Sequence, residues 1–211
     1  MALNGWYIQR ENRSSIRNFI EKWHYSKSIN GCIADYCYSL RNPDGTMMGA
    51  LFYGRLAMAN QWKRFGDSID DVIELRRLCC VDDTPRNAES FLIGRSLKKL
   101  AEDWTGKVVV SYADAEFGHA GTIYKASNFE YLGHQKGAKV IVHGDKTYHD
   151  KAIRTKHKGK LKPFAQKLKN ALDLGEAYYK DTKGKHCYTY KLKRKSRVKP
   201  TPTLEDILGA K

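Results

Sequence analysis

Asp114, Glu116, His119 and Tyr124 lie within eleven residues of one another, in the stretch VVVSYADAEFGHAGTIYKASNFEYLG that spans residues 108–133. The first three sit in a loop after a Val triplet, and Tyr124 follows in a polar helical segment. A carboxylate and an imidazole can move a proton or hold a metal ion, and a phenol can serve as a general acid or hydrogen-bond donor. The bland alternative is a connection in which Asp114 caps a loop and Tyr124 packs in a core. His24 and Tyr25, at the end of an earlier amphipathic segment, are the other candidates of this kind. Arg76 and Arg77 are adjacent on a strand-like run, where neighbouring side chains point to opposite faces, so one of them enters the cleft as an anion or base contact, and Arg77 is favoured. Trp62, in a polar loop, is suited either to stacking on a base or to packing. Cys79 and Cys80 read as two strand positions, one of them buried.

The elements that must position these groups follow from the hydrophobic pattern. GWYIQ can start a strand. A helix is expected from Asn12 or Ser14, because Ile16, Phe19, Ile20 and Trp23 form one apolar stripe at i, i+3, i+4, i+7. Two strand-like runs flank Asn42-Pro43-Asp44-Gly45, a hairpin signal. DVIELRRLCCV reads as a strand, and a helix follows with Ile93, Leu97, Leu100 and Trp104 on one face. Three successive Val residues in KVVVSYAD suggest a strand buried on both faces. GHAGTIYKASN then reads as a helix and FEYLG as a strand. AKVIVHG and KHCYTYKL are expected as strands around a Lys-rich helix near residues 161–172. The sum is a mixed α/β domain.

The totals narrow the class. With 211 residues, 41% hydrophobic and 29% charged, the chain is long enough for a real core. No apolar run approaches the ~20 residues of a membrane span, and MALNGWYIQREN lacks the apolar core of a signal peptide, so a cytoplasmic protein with no membrane partner is expected. Five scattered cysteines without a C-x-x-C pair suit reduced thiols rather than disulfides or structural zinc. The charge is uneven. Residues 1–144 hold 19 Lys+Arg against 16 Asp+Glu, net +3, whereas residues 145–211 hold 19 against 7, net +12. Tyr148, Phe164, Tyr178, Tyr179, Tyr188 and Tyr190 punctuate that basic third, the footprint of a nucleic-acid binder.

A hairpin followed by strand, helix, strand, helix and strand resembles the order of the acyl-CoA N-acyltransferase-like (GNAT) fold, and AGTIYKASNFEYLG resembles that fold's fourth helix and following strand. The loop before the preceding helix departs from the pattern. Acyltransferases place small residues there, so that backbone N–H groups can approach the coenzyme A pyrophosphate. Here Arg86 matches, and Asn87 and Ser90 could join it in an anion site at the helix N-terminus, but Glu89 and Phe91 stand at the small positions. A carboxylate and a ring there oppose a pyrophosphate.

WHYSK, ELRRL, ESFLIGRSLKKLAE, the residue 108–133 stretch and CYTYKLKRK together resemble the Mom family of phage DNA modification proteins, over roughly residues 20 to 195. The resemblance implies a GNAT-like mixed sheet flanked by helices. It also implies an enzyme that adds a carbamoylmethyl (acetamido-type) group to adenine N6 in DNA and protects phage DNA from restriction, together with an involvement of iron. The family's functional positions fall on His24, Tyr25, Asp114 and Tyr124. His24 and Asp114, with His119 or Glu116, would supply the imidazole and carboxylate ligands that non-haem iron uses. Double-stranded DNA with the target adenine flipped out would be the partner. Lys156, Lys158, Lys160, Lys193 and Arg194 would grip phosphates, and Arg77 would contact the substrate. The expected division is a catalytic core at 1–144, a basic β/α extension at 145–199 that completes the sheet and contacts DNA, and a tail at 200–211. Either a monomer or a homodimer is compatible with the chain. The rival readings are a GNAT-type acyltransferase that uses acyl-CoA on RNA, protein or a small amine, and a basic nucleic-acid-binding module without catalysis.

Overall fold

The computed structural model describes residues 3–58 and 60–194, so the expected tail at 200–211 and the last residues of the extension lie outside the described residues. In chain order the elements are β1 (Tyr7–Glu11), α1 (Arg13–Trp23), β2 (Tyr36–Arg41), β3 (Met47–Gly54), β4 (Val72–Cys80), α2 (Ala88–Asp103), β5 (Val108–Asp114), α3 (Thr122–Ala126), β6 (Glu130–Gln135), β7 (Lys139–His143), β8 (Lys146–His149), β9 (Lys156–His157), β10 (Lys160–Leu161), α4 (Pro163–Asp173), β11 (Ala177–Asp181) and β12 (Lys185–Lys191).

Seven strands form one sheet in the order β1-β2-β3-β4-β5-β12-β6. Every neighbouring pair is antiparallel except β4 with β5. The apolar stripe of α1 buries Ile16 and Ile20 against Phe52, Ala50 and Cys37 on one face of the sheet. On the other face α2 buries Leu92, Ile93, Leu97 and Leu100 against Leu51, Tyr53, Ile73, Leu75 and Val109. Each such aliphatic side chain contributes roughly 1.5–3 kcal/mol when fully buried, so the two helices fix the sheet between them. The Val triplet is buried on both sides as its composition suggests: Val109 joins the α2 core, and Val110 packs on the opposite face with Val72 and Cys187.

α1 begins where Asn12 caps it, its side chain accepting the Ser15 N–H at 2.9 Å. It stops at His24, which turns to extended backbone. The Asn42–Gly45 turn joins β2 to β3, with the Gly45 N–H donating to the Asn42 carbonyl at 2.9 Å. The helix expected over GHAGTIYKASN is shorter than its pattern. Only Thr122–Ala126 is α-helical, because Gly118 and Gly121 take left-handed backbone, with φ of +74° and +72°.

The segment between β6 and β12 forms its own small unit. β11, β7 and β8 make a three-stranded sheet, and α4 covers it with Leu168 and Ala171 packed on Ile141 and Ala177. The charge step at residue 144 falls inside this unit, between β7 and β8. The unit leaves the main sheet after Gln135 and re-enters at Lys185, and Lys185 pairs with both Gln135 and Asp114. Its root therefore stands at the Asp114 end of β5.

Candidate active site

Parallel pairing of β4 with β5 runs only from Val72–Leu75 opposite Val108–Ser111. Beyond that point β4 continues to Cys80 along β3, and β5 continues to Asp114 along β12. The ladder between the two strands ends there and they splay apart. The resulting cleft, about 520 Å³, is lined by Trp23, His24 and Tyr25 after α1, Arg76–Cys80 of β4, Glu89 of α2, Tyr112–Asp114 of β5, the loop Phe117–Gly121, and α3 through Tyr124. His24, Tyr25, Arg77, Asp114 and Tyr124, drawn from four separated segments, are thus brought together.

A bulge in β4 corrects the expectation that Arg76 and Arg77 face opposite sides. Leu75 pairs with Tyr53 and Arg77 with Phe52, so Arg76 is an extra residue. Both guanidiniums reach the segment that follows α1. Arg76 donates to Glu74 at 3.0 Å, to the Arg55 carbonyl and to the Cys32 sulfur, while Arg77 Nε donates to Ser26 Oγ at 3.2 Å.

His24 is buried, and its protonation is fixed locally. Nδ1 accepts the Ser26 backbone N–H at 3.0 Å. The Ser26 hydroxyl, 2.8 Å from Nδ1, gives its one proton to the Ser28 carbonyl and accepts from Arg77. The neutral ring therefore carries its proton on Nε2. Burial, with the positive charge of Arg77, His119 and Lys27, lowers the His24 pKa to about 4, so the ring is a neutral donor at neutral pH.

Tyr124 is almost wholly buried, and burial pushes its phenol up to about 12, opposed by a hydrogen bond with Ser111 at the splay point. It is a proton donor in the physiological range, never a base. Tyr25 is half-exposed, and its phenol is raised by desolvation and by the Asp114 charge.

Asp114 combines the bland and the chemical readings. Its Oδ1 accepts the Glu116 N–H at 3.1 Å, capping a short 3-10 turn over Ala115–Phe117, and Oδ2 lies 3.2 Å from Lys185 Nζ. A carboxylate offers about four acceptor positions, so acceptor capacity remains toward the cleft. Glu116 is drawn away from the site, accepting from Lys180 Nζ at 2.7 Å and from the Lys183 N–H at 3.0 Å. The His119 ring lies 5.2 Å from that of Tyr25. Cys79 and Cys80 both line the cleft, and burial raises both thiols, Cys79 to about 12, so neither is a nucleophilic thiolate.

Several expected site residues lie elsewhere. Arg86 and Asn87 are exposed, and the Ser90 hydroxyl donates to the Asn87 carbonyl at 3.0 Å rather than facing a ligand. Glu89 supplies the cleft wall in the first turn of α2, where a pyrophosphate would need small residues and open N–H groups. The residues present do not fit that group. Trp62 packs beside Val72 and Val110. Lys156, Lys158 and Lys160 are exposed on the β9–β10 hairpin of the inserted unit. Lys193 follows β12 at the Val108 end of β5, and there the Arg194 guanidinium donates to the Trp104 carbonyl at 2.8 Å and to that of Gly106. That end is about 20 Å from Asp114 at ~3.3 Å per residue.

The iron expectation meets the same test. Among the described residues no group of three or more His, Cys, Asp or Glu side chains is arranged to hold a metal ion. A ligating histidine donates through its second ring nitrogen, whereas His24 Nδ1 accepts the Ser26 N–H, and no third ligand joins His24 and Asp114 among the described residues. In this arrangement His24 and Asp114 do not fit an iron site. Sequence reasoning missed Phe117, which lines the cleft, and Ser26 and Lys185, which touch His24 and Asp114.

A sheet splayed between parallel β4 and β5, with a late strand inserted between β5 and β6, is the architecture of the GNAT acetyltransferases. The Vibrio cholerae spermidine/spermine N-acetyltransferase SpeG, solved with manganese ions, has a TM-score of 0.50 at 10% identity, covering 90% of this chain and 95% of that one. The ribosomal L7/L12 alpha-N-protein acetyltransferase RimL has a TM-score of 0.50 at 8% identity, covering 91% and 96%. At these identities the likeness is one of fold. The chain belongs to the Mom protein family, whose sequence profile matches residues 5–205. Methylcarbamoylase Mom of Escherichia phage Mu is 31% identical over 143 residues, 64% of this chain and 56% of that relative, so the chain spans little more than half the length of the curated relative it matches.

Proposed function

We propose that the chain is a phage DNA-modifying transferase that places a carbamoylmethyl group on N6 of an adenine extruded from duplex DNA, and thereby shields the DNA from restriction. The observation that carries this reading is the convergence of His24, Tyr25, Asp114 and Tyr124 on one cleft at the splay of β4 and β5. The name of the phage Mu relative supports it.

The lone pair of adenine N6 is delocalised into the ring, so attack requires removal of an N6 proton and an activated donor. Asp114 has the acceptor capacity to take an N6 proton. A carbon–nitrogen bond forms between N6 and the methylene carbon of an activated carboxamidomethyl donor, and the bond from that carbon to its leaving group breaks. The Tyr124 phenol gives its proton to the leaving group, and His24 Nε2–H and Arg77 hold the base or the donor by hydrogen bonds. The positive charge of the inserted unit, with Lys156, Lys158 and Lys160 as phosphate contacts, holds the duplex beside the cleft. Lys193 and Arg194, at the other end of β5, fall outside this footprint.

The test is to express the protein in a bacterial host, digest total DNA to nucleosides and resolve the adenosine by mass spectrometry. A carbamoylmethyl-deoxyadenosine peak is expected. Its absence, with folded protein present, would sink the reading.

A further inference from the structure

The mouth of the cleft carries a stack of rings of which the chemistry above uses only the innermost, His24. From the buried His24 outward, the Tyr25 ring lies 4.1 Å from that of His24, and the Phe117 ring lies 4.3 Å from that of Tyr25, with tilts of 32° and 42°. The His119 ring flanks both, at 5.2 Å from Tyr25 and 6.4 Å from Phe117. The rings come from two remote segments, the exit of α1 and the turn after β5, that meet only here. Tyr25 is 45% exposed and Phe117 56% exposed. Neither belongs to the four buried apolar clusters, so the fold does not use them as core. Among the described residues Phe117 is an exposed phenyl ring only three positions after Asp114, and it lines the same cleft.

An exposed ring pair on open surface would be ordinary, but at the mouth of a cleft it offers a flat apolar face to whatever enters. The surroundings say what that is. Arg77 and Lys27 lie close enough to His24 to bear on its charge. Lys185 pairs with Asp114, and Glu116, in the same 3-10 turn as Phe117, accepts from the Lys180 ammonium and from the Lys183 backbone N–H. The occupant therefore has a flat apolar face and travels with negative charge, which is the description of a nucleobase on a phosphate backbone. Aromatic side chains hold single-stranded and extruded bases in this way.

We propose that Phe117, backed by Tyr25, is the stacking platform for the extruded base, so that it seats adenine for reaction at Asp114. This inference rests on the functional reading above and adds a base-binding residue to it. The platform acts on the base after extrusion and is not a wedge that opens the duplex. It therefore serves unpaired adenine as much as paired adenine.

Two readouts decide it. The first compares adenine modification by wild type, Phe117→Ala and Phe117→Trp on duplex DNA and on single-stranded DNA of the same sequence. Phe117→Ala is expected to lose about ten-fold or more on both substrates, the scale of one base–aromatic stack, and Phe117→Trp to stay within about three-fold of wild type. The second uses a duplex with 2-aminopurine opposite an abasic position. Wild type should quench its fluorescence by stacking, and Phe117→Ala, brought to saturation on the same duplex, should quench less. Urea midpoints verify that both variants fold, as expected of a residue outside every core cluster. A wild-type rate in Phe117→Ala, a deficit that vanishes on single-stranded DNA, or unchanged quenching would each overturn the proposal. Wild type that quenches 2-aminopurine yet leaves no adduct would sink the transferase reading and leave the platform standing.

Discussion

Lowering the pH should cost this protein stability through His24 in a window that the structure defines. In the unfolded chain the ring titrates near 6.5, and in the folded protein near 4, because burial and the neighbouring Arg77, His119 and Lys27 disfavour its charged form. Between those values the unfolded state binds a proton that the folded state does not, so stability is fully present above pH 6.5 and falls as pH drops toward 4. The interval converts at 1.36 kcal/mol per unit to roughly 3 kcal/mol at most, and solvent screening at the cleft mouth brings the expected loss to about 2 kcal/mol. The perturbation is His24→Gln, which keeps a polar side chain without the titration. Urea unfolding of wild type and variant across this range isolates the term as a difference, since carboxylates contribute equally to both. Wild type should lose about 2 kcal/mol more than the variant between pH 7 and pH 4. Parallel pH profiles would refute the account of a buried, neutral His24.

Two further outcomes follow from the geometry. Gly121→Ala should displace α3, because an added Cβ would overlap the Tyr188 ring on backbone with φ of +72°; a loss of about 1–3 kcal/mol in urea unfolding and a larger loss of modification are expected, and wild-type behaviour would show that α3 tolerates the shift. Replacing Lys156, Lys158 and Lys160 together by Ala should weaken duplex binding and flatten the slope of log K against log salt by about 0.9 for each phosphate no longer neutralised, and an unchanged slope would remove the β9–β10 hairpin from the DNA footprint.

Much of the scaffold was legible because its signals are local. The Asn12 cap and the stripe Ile16, Phe19, Ile20 specify α1, the Asn42–Gly45 turn specifies the β2–β3 hairpin, and the Val triplet specifies a strand buried on both faces. The features that make the site are non-local. The β4 bulge that sends Arg76 and Arg77 to the same side is set by the register with β3, and nothing in ELRRL announces it. Insertion of β12 between β5 and β6 brings Lys185 to Asp114 from seventy-one positions away in sequence. The tautomer of His24 depends on a backbone N–H two residues on and on a guanidinium from another strand, so a lone histidine in the sequence gave no indication that it was unsuited to metal. Phe117 reads as ordinary packing until its exposure and its contact with Tyr25 are seen; the one local hint is a phenylalanine beside a glycine in the loop that directly follows Asp114.

Comparative nucleoside mass spectrometry decides whether adenine is modified in the cleft between β4 and β5. DNA from cells expressing wild type, Asp114→Asn, Tyr124→Phe and the distant control Arg194→Ala is digested and its deoxyadenosine resolved, with protein levels matched. A carbamoylmethyl-deoxyadenosine peak is expected in wild type and in the Arg194→Ala variant, and none, or a trace, in the two cleft variants. Equal adduct in all four samples, or none in wild type, would contradict modification in that cleft.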